Sequence, residues 1–151
     1  MSLFNLSRKR QPEYKLLSGR HEDLEFVGHY DFSLLKHTSK SKYPYMLGVS
    51  IQGFDTDNRK LPTNDARQAI DNFEDQLTRL VERSTRSIYA GHSFWNGALE
   101  VIFYIHDYEA VIAALEPEAK KRGTFTFTFK IDSDPEWRQL EYLTYTNYEE
   151  R

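Results

Sequence analysis

The sequence predicts an α+β domain, one antiparallel sheet with both helices on a single face, and three observations carry that expectation. Apolar side chains recur at spacings of three and four from Ala66 to Val81, which marks an amphipathic helix. Asn96-Gly97 stands between two alternating apolar stretches, and this dipeptide suits a two-residue turn needing φ > 0 at both positions. From residue 43 onward, strand-like and helix-like segments follow the order β-α-β-β-α-β.

Taken in order, the opening "MSLFNLSRKRQ" has its basic cluster after its apolar residues and no apolar stretch behind it, so it does not read as a signal peptide. Residues 1–20 are expected to be loosely ordered and 21–151 to form one α+β domain. "LEFVGHYDFSLL" (24–35) alternates Leu24, Phe26, Tyr30, Phe32 and Leu34 with more polar neighbours, which is strand periodicity. "YPYMLGVSIQGF" (43–54) is a second strand with Tyr45, Leu47, Val49 and Ile51 on one face; Pro44 sits at its start, where a missing N–H does least harm. The helix that follows carries Ile70, Phe73, Leu77 and Leu80, with Thr63 or Asn64 as its cap.

The Asn96-Gly97 turn sets a hairpin register of Phe94 opposite Leu99, His92 opposite Val101, Ala90 opposite Phe103 and Tyr89 opposite Tyr104. A second helix starts at Asp107 and closes at Gly123, with a kink or restart at Pro117. The Phe-Thr strand and a short helical segment from Pro135 complete the chain. This is the ferredoxin-like order, two βαβ halves around one sheet. Its first strand already has two neighbours, so the strand at 24–35 must add at a sheet edge or pair elsewhere.

Length and composition narrow the classes of function. A chain of 151 residues is expected to form one domain and can bury roughly 68–70% of its unfolded surface without a covalent staple. It has no cysteine, which removes thiol catalysis, disulfides and Cys-based zinc sites. A formal charge of −3 and a pI near 6.0 argue against a nucleic-acid backbone binder. No stretch approaches the ~18 apolar residues that span a bilayer. The expected location is the cytoplasm.

Motifs for chemistry are sparse. Asp132, Asp134 and Glu136 come at two-residue spacing, but they follow a strand and surround Pro135, so they read as a helix cap and a first-turn charge. A calcium loop needs a longer ligand pattern with a glycine at its turn. The five histidines (His21, His29, His37, His92 and His106) include no HExxH pair. His92 reads as a hydrogen-bonded core histidine. Glu74-Asp75 resembles a carboxylate pair, yet adjacent helical residues diverge by ~100°, so both read as a solvated face. No G-x-S-x-G elbow or phosphate loop occurs. No catalytic residue, metal or cofactor is therefore expected.

"YPYMLGVSI", "LPTN" leading into "IDNFEDQL", the hairpin "NGALEVIFYIHD" and "DPEW" at 134–137 resemble the domain of unknown function 695 family. That family is similar to regulator of RNase E activity B, a small bacterial inhibitor of an mRNA-degrading endonuclease. The resemblance spans roughly residues 24 to 145. It implies a ferredoxin-like fold and a bacterial, cytoplasmic setting, and it brings no catalytic residues. After "DPEW" the chain runs "RQLEYLTYT", without the Tyr-Pro ending of the inhibitor.

The expected function is a non-catalytic, protein-binding or regulatory domain. One alternative is a small enzyme whose Asp, Glu and His are assembled from distant positions. Another is single-stranded RNA binding on an open sheet face, against which stand the acidic charge and a third strand, "ALEVIFYIH", lacking a basic-Gly-aromatic pattern. The candidate partner-binding face carries Tyr89, Trp95, Ile102, Tyr104 and His106, opposite the helices, because Tyr and Trp dominate binding hot spots. It would dock a protein or a second copy of the chain, unless Trp137, Leu140 or Tyr142 covers it from within.

Overall fold

The computed structural model describes residues 11–149. Its strands are β1 (Tyr14–His21), β2 (Leu24–Asp31), β3 (Tyr45–Gln52), β4 (Ser87–Trp95), β5 (Ala98–Ile105) and β6 (Thr126–Ser133). Its helices are α1 (Arg67–Ser84), α2 (Tyr108–Ala119) and α3 (Arg138–Glu149). The strands form one six-stranded antiparallel sheet in the order β1-β2-β4-β5-β3-β6.

The N-terminal third differs most from expectation. The boundary drawn at residue 20 falls inside β1, which pairs with β2 along its whole length. Glu22 and Asp23 make the turn between them with φ of 50° and 68°, a left-handed pair without the glycine or asparagine that normally signals it. β2 stops at Asp31, earlier than the alternation suggests. The Asp31 carboxylate accepts the Ser33 backbone N–H at 3.0 Å and starts a 3₁₀ turn over Phe32–Lys36. β2 adds to β4, so the extra strands extend one edge of the sheet.

α1 is driven by its stripe. Ile70, Leu77 and Val81 are buried against β3, β5 and α2. Neither Thr63 nor Asn64 caps it by side chain; a 3₁₀ turn over Asn64–Ala66 leads into it instead. α2 is capped as read, with the Asp107 carboxylate accepting the Ala110 N–H at 3.1 Å. It passes through Pro117 and ends at Ala119, short of Gly123. One core thus lies between the sheet and α1 and α2, where Leu47, Val49, Val101, Phe103, Val111, Leu115, Phe125 and Phe127 are buried and Phe73 and Phe129 pack at its margin.

A second core lies on the opposite face beneath α3, the C-terminal helix. It joins Leu17, Phe26, Tyr30, Met46, Ile102, Tyr104, Trp137 and Leu140. None of the helices among the described residues is long and apolar enough to cross a membrane.

The β4–β5 hairpin turns at Asn96-Gly97, with φ of 49° and 78°. Its register matches expectation through Phe94–Leu99 and His92–Val101. It then shifts: Gly91 lies opposite Ile102 and Tyr89 opposite Phe103, leaving Ala90 as a bulge. Gly91 makes this possible with φ of 146°; a β-carbon there would collide with the His29 carbonyl and Tyr30. Because strand side chains alternate, one extra residue sends everything before it to the other face.

Candidate functional site

The five face residues separate once the bulge and α3 are in place. Tyr89 moves to the α1 side, the consequence of the extra residue at Ala90. Ile102 and Tyr104 keep the expected face but are buried. Trp137 stacks on Tyr104 with ring centroids 4.4 Å apart and planes 20° from parallel. The Tyr104 hydroxyl donates to Asp134 Oδ2 at 2.8 Å, and burial first, then the Asp134 carboxylate, pushes that phenol up from its ordinary value. His106 lies at the end of β5, exposed, with Nδ1 3.1 Å from the Lys42 carbonyl. Trp95 alone of the five lies beside uncovered sheet, its Nε1 donating to the His21 carbonyl at 3.0 Å.

The acidic triplet explains how α3 is held there. Asp134 is buried and accepts the backbone N–H groups of Arg138 at 2.9 Å and Gln139 at 3.0 Å, which otherwise lack helical partners. Capping is therefore its role, reached across the Pro135–Trp137 turn. Glu136 pairs with Arg138 at 2.7 Å and Asp132 with Lys130 at 3.6 Å. Among the described residues no group of three or more His, Asp or Glu could hold a metal ion. Trp137 takes a φ of 58°, rare for a bulky residue, and its Nε1 donates to the Tyr43 carbonyl at 2.9 Å.

α3 covers only part of this face. Beyond it, a row of small and polar residues crosses the sheet from strand to strand: Gly28, Ser93, Glu100, Ser50 and Thr128. Two hollows, about 350 and 390 Å³, meet at Glu100; Trp95 borders one and α3 the other. Together they make a trough with a single carboxylate at its centre. Surrounding atoms strip part of that carboxylate's hydration, and this raises Glu100 above the ordinary value while Lys130 pulls it back.

Gly48 opens the trough. It sits in the middle of β3, a central strand, where a glycine weakens pairing. At Gly28 the fold needs a glycine, since a β-carbon would lie 2.8 Å from Ser93 Cβ. At Gly48 it does not: a β-carbon would meet Ile102 Cδ1 at 3.8 Å and Glu100 Oε2 at 3.9 Å, ordinary contacts. The missing side chain leaves room directly beside the carboxylate.

A second polar cluster lies on the α1 face. Glu74 Oε2 accepts the Tyr89 hydroxyl at 2.7 Å and lies 2.7 Å from His92 Nδ1. Glu74 is 7% exposed, so the solvated-face reading is corrected. The signal was its place on the stripe Ile70, Glu74, Leu77, Val81. The bulge turns Tyr89 inward to meet it, and burial first, then Glu74, raises the Tyr89 phenol. His92 is hydrogen-bonded on the core side, as expected. His29 lies opposite it, ring centroids 5.9 Å apart, and is held below its ordinary value by burial, then by His92 and Arg67. With both of its donors on one oxygen, Glu74 pins α1 to β4.

A family model matches residues 13–144 of the chain, and the family it describes is one of unknown function. No curated protein and no solved structure matches the chain.

Proposed function

The chain belongs to the family of unknown function DUF695, and from that premise we propose that it is a non-catalytic, protein-binding domain whose working surface is the open trough. The observation that carries this reading is Gly48: a glycine the fold does not need, inside a paired strand, beside Glu100, the carboxylate of the groove that has no contact partner, Asp132 being paired with Lys130. A glycine inside a strand marks a bulge, a tight bend or a close approach by another backbone or a ligand. β3 pairs through Gly48 on both sides without a register shift, which sets the bulge aside. An enzyme should gather titratable groups around a cavity. Here Glu74, Tyr89 and His92 do gather, but in a packed seam where they satisfy one another.

The fold supports the same reading. The strand order β4-β5-β3-β6 with α1 and α2 on one face favours reading that part of the six-stranded sheet as a ferredoxin-like unit to which β1 and β2 are added. The resemblance that the sequence motifs suggest to regulator of RNase E activity B supports a regulatory role in a bacterial cytoplasm, exerted through protein contact. The test is to pan a random-peptide display library against the full chain. Recovered peptides should bind the wild type and lose binding to Gly48→Val, which fills the trough. Peptides indifferent to Gly48→Val would overturn the reading.

A further inference from the structure

Resting on that reading, the structure assigns the occupant's chemistry: we infer that the trough takes a lysine or arginine side chain from an extended protein segment, laid over Gly48 with its cationic head on the Glu100 carboxylate. The first argument is charge. The cations lining the α3 half of the trough already have partners, Lys130 with Asp132 at 3.6 Å and Arg138 with Glu136 at 2.7 Å. Among the described residues Glu100 accepts no hydrogen bond and has no ion pair within 4 Å. Lys130 acts on it only from a longer distance, so Glu100 is the trough carboxylate with no cation in contact.

The second argument is shape. Met46 and Ile102 give the α3 half an apolar floor, which suits the methylene stem of a long basic side chain. The space a β-carbon would occupy at Gly48 lies 3.9 Å from Glu100 Oε2, so a stem passing over the glycine brings its head to the carboxylate. Ser50 and Ser93 flank Glu100 on the neighbouring strands and supply acceptor oxygens for the remaining N–H groups. Trp95, across the second hollow, presents a ring beside which a guanidinium can stack. The third argument is access: Glu100 is exposed to solvent, so a cationic head can reach its carboxylate without rearrangement of the sheet.

The experiment extends the display selection. Peptides recovered on the wild-type chain should be enriched in Arg or Lys at one position. A synthetic peptide of the leading sequence should weaken roughly tenfold or more when that residue becomes norleucine, and by a similar factor against Glu100→Gln. Selection on Glu100→Lys should instead recover Asp- or Glu-bearing peptides. Thermal melts confirm that each variant is folded, and Gly48→Ala replaces Gly48→Val if the latter is not. Peptides that lose binding to the filled trough but ignore Glu100→Gln, or that lack a basic residue, would overturn this inference and leave the trough reading standing. No recovered binder, or binders indifferent to Gly48 substitution, would overturn both.

Discussion

The two faces of the sheet use polar groups in opposite ways. Toward α1, every buried side-chain polar atom among the described residues is matched: Glu74 collects Tyr89 and His92, and the seam around them is packed with phenylalanine and aliphatic side chains. Toward α3, Asp134 is matched just as fully, but the face is half clad, and past the helix the exposed Glu100 has no contact partner in a trough floored by glycine and serine. The difference teaches where stability and function separate. Saturated carboxylates hold elements together; Glu100 holds no element in place, and in its proposed role it receives a group from outside the chain.

The largest expected effects test the clad regions. Phe127→Ala, on the α1 side, and Trp137→Ala, beneath α3, should each cost ~3–5 kcal/mol in chemical denaturation. Similar losses would show that both cores are integral to the fold. A denaturation midpoint that barely moves for Trp137→Ala would mean α3 is a loose cover and Tyr104 is accessible after all.

Next comes the saturated carboxylate. Glu74→Ala leaves the Tyr89 hydroxyl and the His92 imidazole without their acceptor, and should cost about 1–3 kcal/mol. Glu100→Ala should change stability by less than about 0.5 kcal/mol. If the two variants melt together, the contrast between matched and unmatched carboxylates is wrong.

The glycines sharpen the same contrast. Gly28→Ala places a β-carbon against Ser93 and should cost about 1–3 kcal/mol through overpacking. Gly48→Ala should leave stability unchanged within about 0.5 kcal/mol, or raise it, because strand interiors favour a side chain. A clear loss at Gly48 would show the fold itself requires that glycine.

The smallest effect is in pH. The folded chain holds His29 below 6.5, so the unfolded chain binds its proton first as pH falls. Stability should therefore decline as pH drops through about 6.5 and be independent of this group above it. His29→Gln should flatten that part of the profile in melts taken from pH 5 to pH 8. An unchanged slope would place the titration elsewhere.

Much of this was legible in the sequence, for local reasons. The stripe of α1, the Asn96-Gly97 turn and the capping aspartates are short-range signals, and each produced the expected element. What was not legible depends on contacts made at a distance. Gly91 reads as one more residue of a strand, and only the approach of the β2 backbone explains its left-handed φ. β1 was missed because Glu22-Asp23 turns without glycine or asparagine, the usual markers of that conformation. The error at Tyr89 followed from the bulge alone. The cover over Tyr104 was foreseen as an alternative, since Trp137 and Leu140 are large and apolar in a polar tail, but sequence gave no means of choosing.

β6 has one further consequence. It pairs only with β3 among the described residues, so its outer row of N–H and C=O groups forms the margin of the sheet. The stretch that supplies it, "TFTFTF", is uncharged, rich in β-formers and free of proline, the profile of a segment prone to ordered self-stacking. Lys121 and Arg122 stand before it and Lys130 after it, the last with a side chain 80% exposed. Charges so placed match the gatekeeper pattern, in which like-charge repulsion disfavours the addition of one chain to another along such a margin. Lys130→Thr would leave the melting temperature nearly unchanged and lower the concentration at which the protein stays in solution.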